Sequence, residues 1–123
     1  MKSRCIQIDK LIIVFQPHLY SRTKTFYKEF ADSLSSADVV ILTDIYPSRE
    51  KKIDNVNSNM IFERLDNKID SYLLSKTKIA KTIQKIISDS QDTMVIVMGA
   101  GDIKNIIPKI KNAIINKEQF NDK

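Results

Sequence analysis

An α/β fold, with helices on both faces of a mostly parallel sheet, is predicted by three features of this 123-residue sequence. Apolar runs rich in β-branched residues, typical of buried strands, alternate with segments whose apolar residues recur at helical spacing. The order of strand then helix occurs four times, which favours right-handed crossovers and parallel strands. The length and the hydrophobic content of 42% are sufficient for one core. We therefore expect a single Rossmann-like three-layer sandwich.

The first two strands and the helix between them are the clearest elements. Residues 11–15, Leu-Ile-Ile-Val-Phe, form a continuous apolar run that suits a strand covered on both faces. Pro17 ends this run, and the helical spacing that follows predicts a helix over residues 23–35. A second buried strand is predicted over residues 39–43. The polar stretch over residues 44–58 then predicts a long loop, and loops of that length are often functional.

The second half of the chain repeats the alternation of helix and strand. The expected elements are a short helix over residues 59–67, a weaker strand over 69–74, a helix over 78–88, the strongest strand over 93–98 and a last helix over 103–115. Pro108 is expected to kink or split the last helix. The domain is thus predicted to span residues 11–116, between a frayed lead-in over residues 1–10 and a polar tail over residues 117–123.

Composition excludes several classes of protein. With one cysteine, Cys5, and one histidine, His18, the chain can assemble neither a disulfide framework nor a Cys/His zinc site. No apolar run approaches the roughly 20 residues of a membrane span, and no signal peptide follows the start. The net charge of +5 arises from lysines scattered among acidic residues, without an aromatic-basic motif. We expect a soluble, cytoplasmic protein with neither a nucleic-acid nor a membrane partner.

The first candidate site is segment 16–23, Gln-Pro-His-Leu-Tyr-Ser-Arg-Thr, which contains His18 and leads into a predicted helix. Ligands of open parallel sheets bind at the carboxyl ends of strands. A helix start offers unpaired N–H groups, and Arg22 adds a bidentate cation, so the segment suits a carboxylate or phosphate. The alternative, which spacing alone favours, is that Ser21 or Thr23 is an ordinary N-cap and Arg22 a solvated residue.

Two further segments follow predicted strands. Gly99 and Gly101 are the only glycines of the chain, so we expect each to meet a positive φ or a close approach of the main chain to a ligand or to the next helix. As a nucleotide fingerprint the pair is weak, and Asp102 is well explained as the N-cap of the last helix. Segment 44–50, which includes Arg49, is a weaker candidate, because charged loops are usually solvated. The chain has no Walker-type phosphate loop and no nucleophile elbow.

Together these segments resemble the C-terminal domain of the Mur ligases, and within that family the ligases that join L-alanine to UDP-N-acetylmuramate. That family carries a strand ending in Phe-Gln-Pro-His-Arg-Tyr-Thr-Arg-Thr, then a Leu-x-Asp-x-Tyr-Pro loop followed by a Glu, and later Gly-Ala-Gly-Asp-Ile. The corresponding segments here are residues 15–23, 42–50 and 99–103, in the same order. The resemblance covers residues 10–115, and its first segment is the specific one, since sister ligases differ there.

The resemblance implies a part of a three-domain enzyme of peptidoglycan precursor synthesis. Its N-terminal domain binds the UDP-sugar, its central domain binds ATP and Mg²⁺, and the present domain closes over both. ATP converts the substrate carboxylate to an acyl phosphate, which the amine of L-alanine attacks. By similarity, His18 and Arg22 orient the alanine carboxylate and offset charge near the phosphoryl group, and Tyr20 and Ser21 support them. The partners are then the two other domains, and the isolated chain is predicted to be inactive.

Two departures from the family pattern leave alternatives open. The family's arginine directly after the histidine is Leu19 here, and nothing like the family's Asp-Asp-Tyr-Gly-His-His-Pro segment precedes Leu11. The domain is therefore expected to lack its first strand and helix and to expose an apolar sheet edge that favours self-association. We expect the chain to be an expressed fragment, a split or truncated gene product, or a degenerate, non-catalytic remnant that binds an anion or a protein. A free-standing flavodoxin-like nucleotide-binding domain is a more distant alternative.

Overall fold

A computed structural model describes residues 8–87 and 91–121, and their side chains as far as residue 116. The elements in chain order are β1 (Lys10–Phe15), α1 (Tyr20–Ser33) with a 3-10 turn (Leu34–Ser36), β2 (Val39–Leu42), α2 (Asn59–Phe62), β3 (Asp70–Leu73), α3 (Lys76–Ile86), β4 (Thr93–Met98), a second 3-10 turn (Asp102–Ile106) and α4 (Ile107–Asn121). All strand pairs are parallel, and the order across the sheet is β3-β2-β1-β4. The predicted three-layer α/β architecture is confirmed.

The continuous apolar runs place side chains on both faces of the sheet. Ile12 and Val14 of β1 pack on one face, beneath α3, the second 3-10 turn and α4. Ile13 points to the other face, beneath α1 and α2. Alternation along a strand produces this division, so a run that is apolar at every position needs cover on both sides. The two cores hold the carboxyl ends of β1 and β2 side by side, where the candidate segments begin.

Several element boundaries differ from the predictions. The helix α1 begins at Tyr20 rather than residue 23, and α3 begins at Lys76 rather than residue 78. Apolar spacing did not detect these starts because their first turns are polar. Residue 88, the predicted end of α3, lies outside the described residues. Of the two outcomes predicted at Pro108, the split is seen and the kink is not. The 3-10 turn ends directly before α4, and Pro108 is the second residue of α4, where a missing N–H costs little. The helix continues to Asn121, into the predicted tail.

The strand β4 lies at an edge of the sheet. Its residues alternate between Thr93, Val95 and Val97, which are partly buried, and the apolar Met94, Ile96 and Met98, which are 38%, 37% and 41% exposed. Among the described residues, no strand pairs with its outer edge. The strand β3 is short and begins with the charged Asp70, whereas β4 carries no charged residue that would discourage pairing with another strand. The exposed row is an unprotected apolar surface.

Candidate functional site at the carboxyl ends of β1 and β2

Backbone hydrogen bonds join the segments that follow β1 and β2. The Tyr46 N–H donates to the Pro17 carbonyl at 2.8 Å, and the Leu19 N–H donates to the Tyr46 carbonyl at 2.9 Å. These bonds extend the β1–β2 pairing past the ends of the strands and form an isolated parallel bridge between His18 and Tyr46. The two candidate segments are thus one continuous structure, as adjacent parallel strands require.

Tyr46 is the point where all three candidate segments meet. Its ring stacks on the ring of His18, with centroids 5.9 Å apart and planes inclined by 18°. The Gly101 backbone lies on the ring as well, since a Cβ placed there would be 2.2 Å from the Tyr46 Cγ. A close approach therefore explains this glycine, and neither glycine has a positive φ. The ring of His18 is held by packing, which restricts the directions in which it faces.

Gln16 ties the end of β1 to the Gly-Ala-Gly-Asp segment. Its side chain is only 1% exposed. Its amide nitrogen donates to Asp102 Oδ1 at 2.9 Å, and its amide oxygen accepts from the Ile103 N–H at 3.2 Å. Gly99 lies against it, because a Cβ there would be 3.2 Å from the Gln16 Cβ and 2.6 Å from Ile103 Cγ2. Both glycines thus meet other parts of the chain.

The role predicted for Asp102 as an N-cap is wrong. Gly101 occupies the N-cap position of the second 3-10 turn, and no side chain caps that turn. The Asp102 carboxylate instead accepts the hydrogen bond from Gln16, which lowers its pKa below the ordinary 3.8, and the Lys76 ammonium at 3.6 Å lowers it further. The ionised carboxylate therefore stabilises the junction between β1 and the second 3-10 turn.

The start of α1 differs from both interpretations of the sequence. Ser21 and Thr23 lie within the helix, and the N-cap position is taken by Leu19, with φ 72° and no side-chain cap bond. Thr23 Oγ1 donates back to the Leu19 carbonyl at 2.9 Å. The Ser21 N–H and hydroxyl both donate to the carboxylate of Glu50, so the chain itself supplies an anion at this helix start. These hydrogen bonds lower the pKa of Glu50.

A groove of about 390 Å³ opens between α1 and the end of β4. Its lining includes three phenylalanines together with His18 and Arg22. The lining residues are Phe15, Gln16, His18, Arg22, Phe26, Phe30, Gly99 and Ala100. Arg22 is exposed and, within the part of the chain with described side chains, has no ion pair within 4 Å. Its five N–H donors are thus available to a planar anion such as a carboxylate.

The sequence-predicted residues divide between this groove and its surroundings. His18, Arg22 and Gly99 line the groove together. Tyr20 instead lines a separate polar cavity of about 260 Å³ beside the long loop. Ser21 binds Glu50 and lies one residue before Arg22 in the same helix turn.

Three residues that organise the site were not selected from the sequence. Tyr46 and Glu50 lie in segment 44–50, whose charges predict a solvated loop, and Gln16 directly precedes the proline and histidine of the first segment without a charge of its own. The available signal was their position directly after strands that would be neighbours in a parallel sheet. Among the described residues, no group of three or more His, Cys, Asp or Glu side chains could hold a metal ion. Nor is any helix of this part long and apolar enough to cross a membrane.

No protein-family model matches the chain, but curated proteins do. It is 46% identical over 109 residues to the UDP-N-acetylmuramate–L-alanine ligase of Phocaeicola vulgatus, and 39% identical over 109 residues to that of Flavobacterium psychrophilum. Each match covers 89% of this chain. A third relative, from Porphyromonas gingivalis, is 40% identical over 98 residues, or 80% of the chain. The chain matches the C-terminal part of the alanine-adding Mur ligases.

This match confirms the resemblance that the three segments predicted. The chain spans only 23% of the length of the Phocaeicola and Flavobacterium ligases, so most of those enzymes lies outside the matched region. The matched region includes the groove and the segments around Tyr46, because a match of 109 residues within 123 leaves few residues out. The described site therefore lies within the part of the chain that is similar to these ligases.

Proposed function

We propose that this chain is the C-terminal domain of an ATP-dependent ligase that joins L-alanine to UDP-N-acetylmuramate in peptidoglycan precursor synthesis. The observation that carries the proposal is that His18 and Arg22, on the family's most specific segment, line one groove at the carboxyl end of the sheet. An accessible guanidinium beside a packed imidazole suits a small ligand with a carboxylate. In this proposal the domain provides the amino-acid end of a site completed by other parts of the ligase.

The proposed reaction gives His18 and Arg22 separate roles. The substrate carboxylate takes the γ-phosphoryl group of ATP, and the amine of L-alanine then attacks the carbonyl carbon and expels inorganic phosphate. Arg22 binds the carboxylate of L-alanine through two N–H groups, which aims the amine at the carbonyl carbon. His18, held against Tyr46, donates a hydrogen bond to negative charge that develops near the phosphoryl group. Tyr20 and Ser21 support the loop from outside the groove.

The remaining components are assigned to the rest of the ligase. By the resemblance, the N-terminal domain binds UDP-N-acetylmuramate and the central domain binds ATP with Mg²⁺ in the cytoplasm. No residue of this chain is given a role toward the nucleotide or the metal; Gly99, Gly101 and Asp102, the weak candidates for a cofactor, contact Gln16, Ile103 and Tyr46 instead.

A second candidate is a non-catalytic Mur-ligase-like module that binds an anion or a protein. The exposed row Met94, Ile96 and Met98 on the unpaired edge of β4 favours it, because such surfaces commonly mark protein contacts. Self-association through this edge belongs to the same proposal. The two candidates differ in one respect, which is whether the domain supports ligation when joined to the rest of a ligase.

The test is a chimera in which this chain replaces the matched C-terminal region of the Phocaeicola vulgatus ligase. We expect the chimera to release ADP only when UDP-N-acetylmuramate and L-alanine are both present, and the isolated 123-residue chain to release none. A folded chimera that binds UDP-N-acetylmuramate but never forms the alanyl product would favour the non-catalytic module. Activity of the isolated chain would contradict the division of roles between the domains.

A further inference from the structure

The helix α1 begins without a cap of its own. Its N-cap residue, Leu19, has an apolar side chain that cannot accept a hydrogen bond, and its first turn contains no acidic residue. The first N–H groups of a helix need partners from outside the helix. A leucine at φ 72° is also in a strained region, so surrounding structure must hold it there. The start of α1 is therefore fixed by contacts from elsewhere in the chain.

Glu50 provides these contacts from 29 residues away. Its Oε1 accepts from the Ser21 N–H at 3.1 Å, and its Oε2 accepts from the Ser21 hydroxyl. A carboxylate at a helix N-terminus is favoured by the unpaired N–H groups and by the helix dipole. The hydroxyl of Ser21 is the main cause of the lowered pKa of Glu50, followed by its backbone N–H. Glu50 thus acts as the missing cap in its ionised form.

A tight turn delivers Glu50 to this position. The Glu50 N–H donates to the Pro47 carbonyl at 2.9 Å, and Ser48 within the turn has φ 54°. The residue before the turn, Tyr46, is held by backbone bonds to Pro17 and Leu19. The carboxylate is consequently fixed relative to the same segment that carries His18.

We propose that Glu50 is a positioning residue that fixes the position of the Arg22 side chain in the groove lining. This inference rests on the proposed function. Ser21 is held through both its backbone and its side chain, so the direction in which the next residue leaves the helix is determined. Glu50 makes no ion pair with Arg22 within 4 Å in the part of the chain with described side chains, so the guanidinium stays available. Because Glu50 occupies the Ser21 N–H, that group is not available to an external carboxylate.

The test compares four variants of the chimera with its unmodified form. Glu50→Gln and Ser21→Ala should each raise KM for L-alanine about tenfold, the scale expected for a displaced binding group, with KM for UDP-N-acetylmuramate within twofold. The double variant should raise KM for L-alanine no more than either single variant, because both substitutions disrupt the same contact between Ser21 and Glu50. Arg22→Ala is the reference for loss of the guanidinium itself, and Glu63→Gln, which removes an exposed carboxylate without a described side-chain bond, is the matched control.

Hydrogen exchange on the full 123-residue chain checks that the effect is local. In Glu50→Gln the Ser21 amide should exchange faster, while amides of α3 keep their protection. If Glu50→Gln and Ser21→Ala leave KM for L-alanine unchanged while Arg22→Ala raises it, the positioning role is wrong and the proposed function stands. If Arg22→Ala also leaves KM for L-alanine unchanged, both the positioning role and the proposed function are wrong. Should Glu50→Gln fail to fold, Ser21→Ala alone decides between these outcomes.

Discussion

Tyr46 connects the three segments of the site through contacts that leave little space around its ring. The ring of His18 stacks on the ring of Tyr46, and the backbone of Gly101 lies so close to the Tyr46 ring that a Cβ at this position would clash with it. In packing of this kind, the addition of one methyl group affects stability, because a close-packed interior cannot accept added volume unless neighbouring atoms move.

Gly101→Ala should therefore destabilise the domain. The added Cβ would be 2.2 Å from the Tyr46 Cγ, and the ring must move to make room. We expect the free energy of unfolding to fall by about 1 to 3 kcal/mol, measured by urea titration. Lys104→Ala, at an exposed position three residues later, is the control and should change stability by less than about 0.5 kcal/mol. Equal stability of Gly101→Ala and the wild type would contradict the packing described.

Gln16→Met tests the buried amide. Methionine has a similar shape but can neither donate to Asp102 nor accept from the Ile103 N–H, which would then be buried without its partner. The expected loss is about 1 to 3 kcal/mol in the free energy of unfolding. Gln91→Met, which makes the same change at an exposed position, should be close to neutral. A loss of the same size at both positions would show that the hydrogen bonds of Gln16 are not the cause.

At the scale of elements, hydrophobic periodicity predicts the four strands and four helices found among the described residues, and their order. It could not locate the helix starts at Tyr20 and Lys76, since their first turns are polar, and the start at Tyr20 also contacts the distant Glu50. The groove was predictable only in part. His18 and Arg22 follow a strand and were selected, but the contacts made by Tyr46 and Gln16 depend on the three-dimensional register of neighbouring segments.

The junctions between elements should weaken in acid. The carboxylates of Glu50 and Asp102 have folded pKa values below their ordinary values of 4.5 and 3.8, so their stabilisation is complete above those values and is lost as the pH falls through the folded ones. We expect the urea midpoint to fall as the pH drops below about 5, and the double variant Glu50→Gln, Asp102→Asn to show a flatter profile there. Glu63→Gln should follow the wild type. A double variant with the wild-type slope would contradict these assignments.

At the scale of the whole molecule, the sheet has one protected and one unprotected edge. The β4 edge combines unpaired strand backbone, in the described part of the chain, with the exposed row Met94, Ile96 and Met98. Exposed apolar edges of this type tend to pair with another chain. We therefore expect the isolated domain to self-associate at high protein concentration.

Ile96→Lys should suppress this association, because each copy would bring a charge to the shared edge. Leu73→Lys is the matched control: Leu73 is 38% exposed but lies on β3, at the opposite edge. Sedimentation velocity over a concentration series should show a concentration-dependent shift for the wild type and Leu73→Lys, and a monomer for Ile96→Lys. A wild type that stays monomeric throughout would exclude the proposed contact.

In the proposed function, the groove beside α1 holds the amino acid during ligation, and Arg22 is the principal anion contact. Since Leu19 stands where the family pattern that the chain resembles has a second arginine, dependence on Arg22 should be strong. In the chimera, Arg22→Ala should reduce kcat/KM for L-alanine by an amount equivalent to about 2 to 4 kcal/mol of transition-state stabilisation, and Leu19→Arg should increase it. Unchanged alanine kinetics in a folded Arg22→Ala chimera would contradict the claim and leave Arg22 as a solvated residue at a helix start.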